Sequence, residues 1–286
     1  MDQASALRRL SRGMSREPVR EASSHSTKLR GLAVASGKGG VGKTNTVANL
    51  ALALSRMGKK ALVFDADMGL GNIHILLGLV PRYTLQHVIS GERSMQEILI
   101  KGPGGIDVLP AGSGARQYND LNGEEMLILK TELEVLEEKY DYVLFDIGAG
   151  ISNNVMYFCS AVEDTAIITS TEPTSFADAY AVMKVLSKEY DKREFKLIVN
   201  SVRKAGEGQE VYNRLSQVSD RFGLNIRIDY LGHIFADKSV PDAVRKQRLF
   251  TDIYPTSEAS ICIHNIAKTL IQTLSPSDIE WGRIFA

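Results

Sequence analysis

The residues best placed for chemistry lie in Ser36-Gly37-Lys38-Gly39-Gly40-Val41-Gly42-Lys43-Thr44. Gly37, Gly42, Lys43 and Thr44 satisfy G-x-x-x-x-G-K-[ST], a spacing that turns backbone N–H groups inward onto phosphate oxygens. Glycines allow the tight curl, the Lys43 ammonium reaches β- and γ-phosphates, and the Thr44 hydroxyl can ligate Mg²⁺. An apolar run precedes the loop and a helical pattern follows it, so a helix N-terminus adds partial positive charge at the same point. A chance glycine turn ending in Lys-Thr would lack that context. We take Gly37, Lys38, Gly39, Gly40, Val41, Gly42, Lys43, Thr44 and the following Asn45 as the phosphate-contacting segment. Lys38, a second lysine inside the loop, reads on its own as a solvated charge.

Acids close two further apolar runs, in Phe64-Asp65-Ala66-Asp67 and Phe145-Asp146-Ile147-Gly148-Ala149-Gly150. An acid at a strand end can hold Mg²⁺ through water, and hydrolysis needs a carboxylate to orient or polarise the attacking water. Gly148 and Gly150 suit a segment that moves when it senses a terminal phosphate. Taken singly, each is also an ordinary capped strand end or glycine turn. Asn200, in Val199-Asn200-Ser201, ends another apolar run, and strand ends of open α/β sheets face the ligand crevice. Asn also favours such corners for its own hydrogen bonding. No guanine-reading NKxD motif is present, which favours ATP over GTP.

The elements that must position these groups are legible from periodicity. Strands are expected at Leu32–Ser36, Ala61–Asp65, Ile106–Leu109, Tyr142–Asp146, Thr165–Thr169, Lys196–Asn200 and Ile228–Ile234. Most are continuously apolar, as in a parallel sheet covered on both faces. Helices are expected at Lys43–Met57, Glu124–Lys139, Ser175–Glu189, Gly208–Phe222, Val240–Gln247 and Ser257–Leu274. Strands alternating with helices imply right-handed crossovers and an α/β, doubly wound, mostly parallel sheet. One domain is expected over 29–274, with a flexible basic arm at 1–28 and a tail at 275–286.

Composition narrows the class. The 286 residues carry 34 Lys+Arg and 34 Asp+Glu, for zero net charge, with 44% hydrophobic and 24% charged residues. This argues against a bulk-basic nucleic-acid binder, so DNA is not an expected partner. The zero is uneven: residues 1–30 hold seven basic and three acidic side chains, net +4, and the remainder is net −4. Leu7, Leu10 and Met14 mark one side of a short helix within that arm. Cys159 and Cys262 do not form a metal-site spacing, and the five histidines show no ligand pairing. Without a secretory h-region or a membrane-length apolar run, a reduced cytoplasmic location is expected.

The run Gly37–Thr44 resembles the deviant Walker A loop of the MinD/ParA family of P-loop ATPases. That resemblance, over residues 1–274, implies an ATPase with ATP and Mg²⁺ as ligands and a homodimer in the ATP state. Lys38 would then reach the partner's phosphates, making Lys38, Lys43 and Asp67 the catalytic set. Asp67 would position water within a first switch, and Asp65 would join Thr44 and Asp146 around Mg²⁺. Asn200 would bond the adenine edge, with Glu172, in Thr171-Glu172-Pro173-Thr174, and Pro241 near the base.

Asp2-Gln3-Ala4, Asn45 after the Lys-Thr pair, and Asp146-Ile147-Gly148-Ala149-Gly150, where division relatives carry a Pro before Ala-Gly, resemble the flagellar number regulator (FlhG-type) branch. This branch implies slow, partner-regulated turnover in control of flagellar number and placement. Gln3 would enter the site of an FlhF-type signal-recognition GTPase and stimulate it through residues 1–20. Flagellar switch-complex proteins or a flagellar transcription activator are further partners open to that branch. A division-site or partition ATPase, membrane- or nucleoid-associated, is the alternative. Trp281, Ile284 and Phe285 sit at helical spacing beside Asp278, Glu280 and Arg283, net −1. Such a tail fits either a weak peripheral contact with the inner membrane face or pole, or packing on the core.

Overall fold

The computed structural model describes residues 29–67, 71–110, 123–274 and 279, apart from the Met126 side chain. The arm with Gln3, the first-switch residues 68–70 and all of the tail except Ile279 lie outside the described residues.

The elements run β1 Arg30–Ser36, α1 Lys43–Arg56, β2 Ala61–Ala66, α2 Ile73–Leu76, α3 Leu85–Ile89, α4 Met95–Ile98, β3 Ile100–Lys101 and β4 Asp107–Pro110. They continue as α5 Gly123–Glu137, β5 Tyr142–Ala149, α6 Asn153–Ala161, β6 Asp164–Ser170, α7 Pro173–Glu189, β7 Glu194–Val202 and α8 Glu207–Arg221. The chain then forms β8 Arg227–Phe235, α9 Ser239–Arg245, α10 Phe250–Ile253 and α11 Glu258–Thr273. The eight strands order as β3-β4-β2-β5-β1-β6-β7-β8. Among the described residues only the two-residue β3 pairs antiparallel.

Strand alternation sends side chains to two separate cores. Ala33 and Ala35 of β1 and Leu62 and Phe64 of β2 face one core, shared with α3 to α8. Leu32, Val34, Ala61 and Val63 face the other, shared with α1, α2, α9, α10 and α11. The result is three layers, helices on sheet on helices. Phe64, Phe145 and Phe158 interlock in the first core, with ring centroids 5.4 to 5.8 Å apart. α5 buries Leu129, Leu133 and Leu136 beneath its charged outer face.

The strands and helices read from periodicity are all present. The strand β3 and the helices α2, α3, α4, α6 and α10 were not anticipated. Four of these helices have four or five residues, too few for a 3.6-residue period to register. α3 and α4 are set by capping boxes, Thr84 with His87 and Ser94 with Glu97, rather than by hydrophobic spacing. α6 opens on Asn153-Asn154, residues that favour turns.

β1 is central, between β5 and β6, so the loop it feeds emerges where several strand ends converge. α1 is fixed from beneath by the fully buried Asn49. Its amide donates to Asn45 O at 2.7 Å, and its Oδ1 accepts from the Thr251 N–H at 3.0 Å and hydroxyl at 2.8 Å. Ile279 is 5% exposed and lies against Gly31 and Val162, so at this point the C-terminal segment packs on the core.

Candidate functional site

The loop after β1 curls as its glycines require. Gly42 caps α1 at φ 91°, in the left-handed region. A Cβ there would also lie 2.2 Å from Asn200 Nδ2. A Cβ on Gly37 would fall 2.3 Å from the Asp178 carbonyl in α7. Both positions therefore exclude a side chain, one by conformation and contact and the other by close backbone approach. The loop borders a cleft of about 700 Å³, lined by residues 38–45 together with Ser36, Asp67, Asn72, Gly148, Ser152 and Asn154. That volume falls within the range of small-molecule sites.

Register places the two strand acids side by side. Asp65 of β2 is paired with Asp146 of β5, whose other neighbour is Val34 of β1. The carboxylates are 2% and 1% exposed. Lys43 Nζ donates to Asp146 Oδ1 at 3.1 Å, a buried ion pair. Burial pushes the Asp146 carboxyl up, while the Lys43 ammonium and the Thr44 hydroxyl pull it back. Asp65 is pushed up to about 7, first by burial and then by the neighbouring Asp146 charge. Its Oδ1 has no hydrogen-bond partner among the described residues.

Two close carboxylates, one holding its proton to near neutrality and presenting a bare buried oxygen, form a hard-oxygen donor set short of positive charge. That set fits Mg²⁺. Asp67 belongs to the same neighbourhood: its charge raises both buried acids, and a Cβ on Gly148 would lie 3.6 Å from its Oδ1. Lys43, Thr44 and Asp67 line the cleft, and the buried Asp65 and Asp146 stand behind that lining, Asp146 through its ion pair with Lys43.

The residues expected near adenine, Asn200, Glu172 and Pro241, lie outside the lining of this cleft. Asn200 Nδ2 donates to Val41 O at 2.7 Å, and its Oδ1 accepts from Ser201 N–H at 2.8 Å. Its amide thus ties the end of β7 to the phosphate loop. The backbone reason is visible at Ser201, where φ is 59° and the corner turns sharply. Glu172 instead accepts a 2.9 Å bond from Lys38 Nζ, which also donates to Thr174 Oγ1 at 3.1 Å. Pro241 is an exposed residue of α9.

Ser36, Asn72, Ser152 and Asn154 also line the cleft, and of these Ser152 and Asn154 were not anticipated. The Ser36 hydroxyl donates to Lys38 O at 3.0 Å and closes the loop's first turn. Ser152 and Asn154 flank the start of α6, which periodicity did not reveal.

Among the described residues no group of histidines, cysteines or acids forms a further metal cluster. Cys159 is fully buried and its thiol is pushed up to about 12 by burial, so it acts as an apolar filler. Cys262 is partly exposed.

Residues 29–197 match the family model described as AAA domain. Over 237 residues the chain is 38% identical to Antiactivator FleN of Pseudomonas aeruginosa, covering 83% of this chain and 84% of that protein. It is 34% identical over 249 residues to Flagellum site-determining protein YlxH of Helicobacter pylori, covering 87% and 84%. Among solved structures it superposes on the MinC:MinD cell division protein complex of Aquifex aeolicus with a TM-score of 0.67. That match has 27% identity and covers 87% of this chain and 98% of the other. With the deviant loop, the paired strand-end acids and these relatives in hand, the chain belongs to the MinD/ParA family of P-loop ATPases, in the branch that contains FleN and YlxH.

Proposed function

We propose that this chain is an ATP-dependent dimerisation switch that controls flagellar number and placement. The observation that carries the reading is the cleft itself: Lys43 paired to buried Asp146, with Asp65 beside it and Asp67 at the mouth. The likeness to FleN and YlxH supports the flagellar role.

The chain's own groups divide the work. Backbone N–H groups of Gly39 to Thr44 and the Lys43 ammonium hold the triphosphate, and Asn200 holds the loop against β7. Thr44, Asp65 and Asp146 would hold Mg²⁺, which supplies charge neutralisation at the phosphate oxygens. Asp67 accepts hydrogen bonds from the attacking water and orients it. Lys38 leaves Glu172 and crosses to the phosphates of a second copy, so catalysis follows dimerisation. Hydrolysis is slow and resets the monomer. The arm, through Gln3, stimulates an FlhF-type GTPase and is the output of the cycle. The protein works in the cytoplasm and at the inner membrane face. Among the described residues no helix is long and apolar enough to cross a membrane.

Sizing of the full chain tests the switch. A dimer with MgATP and a monomer with MgADP are expected, and a monomer in both overturns it. A peptide of residues 1–20 assayed on the purified GTPase tests the output. No stimulation, or equal stimulation with Gln3→Ala, removes that part. Liposome sedimentation of the full chain against a 275–286 deletion tests the membrane contact, and equal binding assigns it elsewhere.

A further inference from the structure

A cavity of about 550 Å³ opens at the other end of α1, between its C-terminal turn and the first residues of β2. Lys59, Lys60, Lys101 and Lys139 line it, with Asp107 and Tyr140. Four lysines and one aspartate thus line it, with the Asp141 carboxylate next to it accepting from the Lys60 backbone N–H at 2.8 Å, in a body whose net charge is negative. The Asp107 carboxylate is paired with Lys101, although both of its hydrogen bonds fall on Oδ2 and its buried Oδ1 accepts none among the described residues. Lys101 Nζ donates to Oδ2 at 2.8 Å and the Tyr140 hydroxyl at 2.7 Å, while Asp107 is 6% exposed. Among the described residues no ion pair closes on Lys59, Lys60 or Lys139.

Three unpartnered ammonium groups around one concavity repel each other and gain only when an anion sits between them. The chemistry of the lining narrows which anion. It contains lysines and no arginine, so it offers point charges suited to phosphate rather than the planar fork that grips a carboxylate. The volume suits a small molecule rather than a polymer track. Gln96 on the wall adds a neutral hydrogen-bonding group, and Leu99 an apolar one.

We propose that this cavity binds a compact, phosphate-bearing polyanion at a site separate from the nucleotide cleft. The two cavities lie at opposite ends of α1, whose N-terminus carries Lys43 and whose C-terminal turn carries Ser55 on this wall.

The test is pyrophosphate titration by calorimetry, using the full-length protein already saturated with MgADP so that the phosphate loop is filled. One saturable site per chain is expected, weakening as salt rises. The Lys59→Ala/Lys60→Ala/Lys139→Ala variant is expected to bind at least about tenfold more weakly, since charged hydrogen bonds are lost. Its unfolding midpoint and ADP affinity should match the wild type, and Lys60→Ala alone, at an exposed position, should give a partial loss. Phosphatidylglycerol vesicles form a second arm. Vesicle binding that the triple variant loses and pyrophosphate competes away assigns the phosphate to a lipid headgroup and supports the site. Absence of pyrophosphate binding, or binding unchanged in the triple variant, overturns the proposal.

Discussion

Two buried Lys–Asp pairs sit in this sheet at opposite ends of the parallel strands. Lys43–Asp146, 3.1 Å apart, lies where strands end, and Lys196–Asp164, 3.0 Å apart, lies where they begin. Their burial is similar, with side chains 9% and 1% exposed in the first pair and 8% and 12% in the second. The surroundings differ. The first pair borders a glycine loop, a cleft and two further carboxylates. The second bridges neighbouring strands β6 and β7, with Asp229 of β8 at 4.0 Å, and borders none of the cavities described above. A buried ion pair by itself is architecture. It becomes chemistry when a concavity and an excess of one charge converge on it.

The sharpest way to break this contrast is to remove each lysine in turn. Lys43→Ala should abolish measurable ATP hydrolysis, a fall of at least about a hundredfold, as losing a phosphate-stabilising donor implies. Lys196→Ala should leave nucleotide affinity intact while costing about 3–5 kcal/mol of stability in denaturant unfolding, because Asp164 loses its buried partner. Equal effects of both on ATP affinity would erase the distinction between the two ends.

Asp67→Ala should lower turnover by about 10²–10⁴-fold, the range for a lost general base or water-orienting group. ATP binding and the ATP-bound dimer should persist on sizing. A variant that is monomeric with ATP would move Asp67 from water positioning to assembly.

Asp65 gives a pH signature to the cleft end alone. Its carboxyl is held at about 7, above its ordinary 3.8, so the folded chain keeps a proton that the unfolded chain releases. Stability of the metal-free protein should therefore fall as pH rises from about 4 to about 7 and then level off. The drop is on the order of 4 kcal/mol. Asp65→Asn should remove most of it, as read by denaturant midpoints across pH.

The smallest effect is expected at the exposed Lys38–Glu172 contact, whose side chains are 42% and 66% exposed. Glu172→Ala should change stability by under about 1 kcal/mol. It should also lower the ATP concentration needed for dimerisation a few-fold, since Lys38 is then released at no cost.

Much of the cleft was legible because its code is local. Gly37, Gly42, Lys43 and Thr44 carry their meaning in spacing, and Asp65 and Asp146 announce themselves by ending apolar runs. Asn200 was legible only as a residue at a strand corner. Its grip on Val41 O depends on a chain approach between positions 159 residues apart. Glu172 was expected near the base only through the family resemblance, and its contact with Lys38 joins residues 134 positions apart. Asn49 sits within an apolar helical stretch and would be noticed only as an anomaly, until Thr251 is seen against it.

The linear chain by itself determined the alternation of strands and helices, the phosphate loop and the kinds of group that close each strand. These follow from hydrophobic period, glycine and side-chain chemistry within short windows. Only the tertiary structure decided the strand order, the burial of Asp65 and its register beside Asp146 that together push its carboxyl up, and the lysine cavity at the far end of α1. Those features arise from burial and charge brought together across long separations, where desolvation and Coulomb forces act on distance in space and not along the chain.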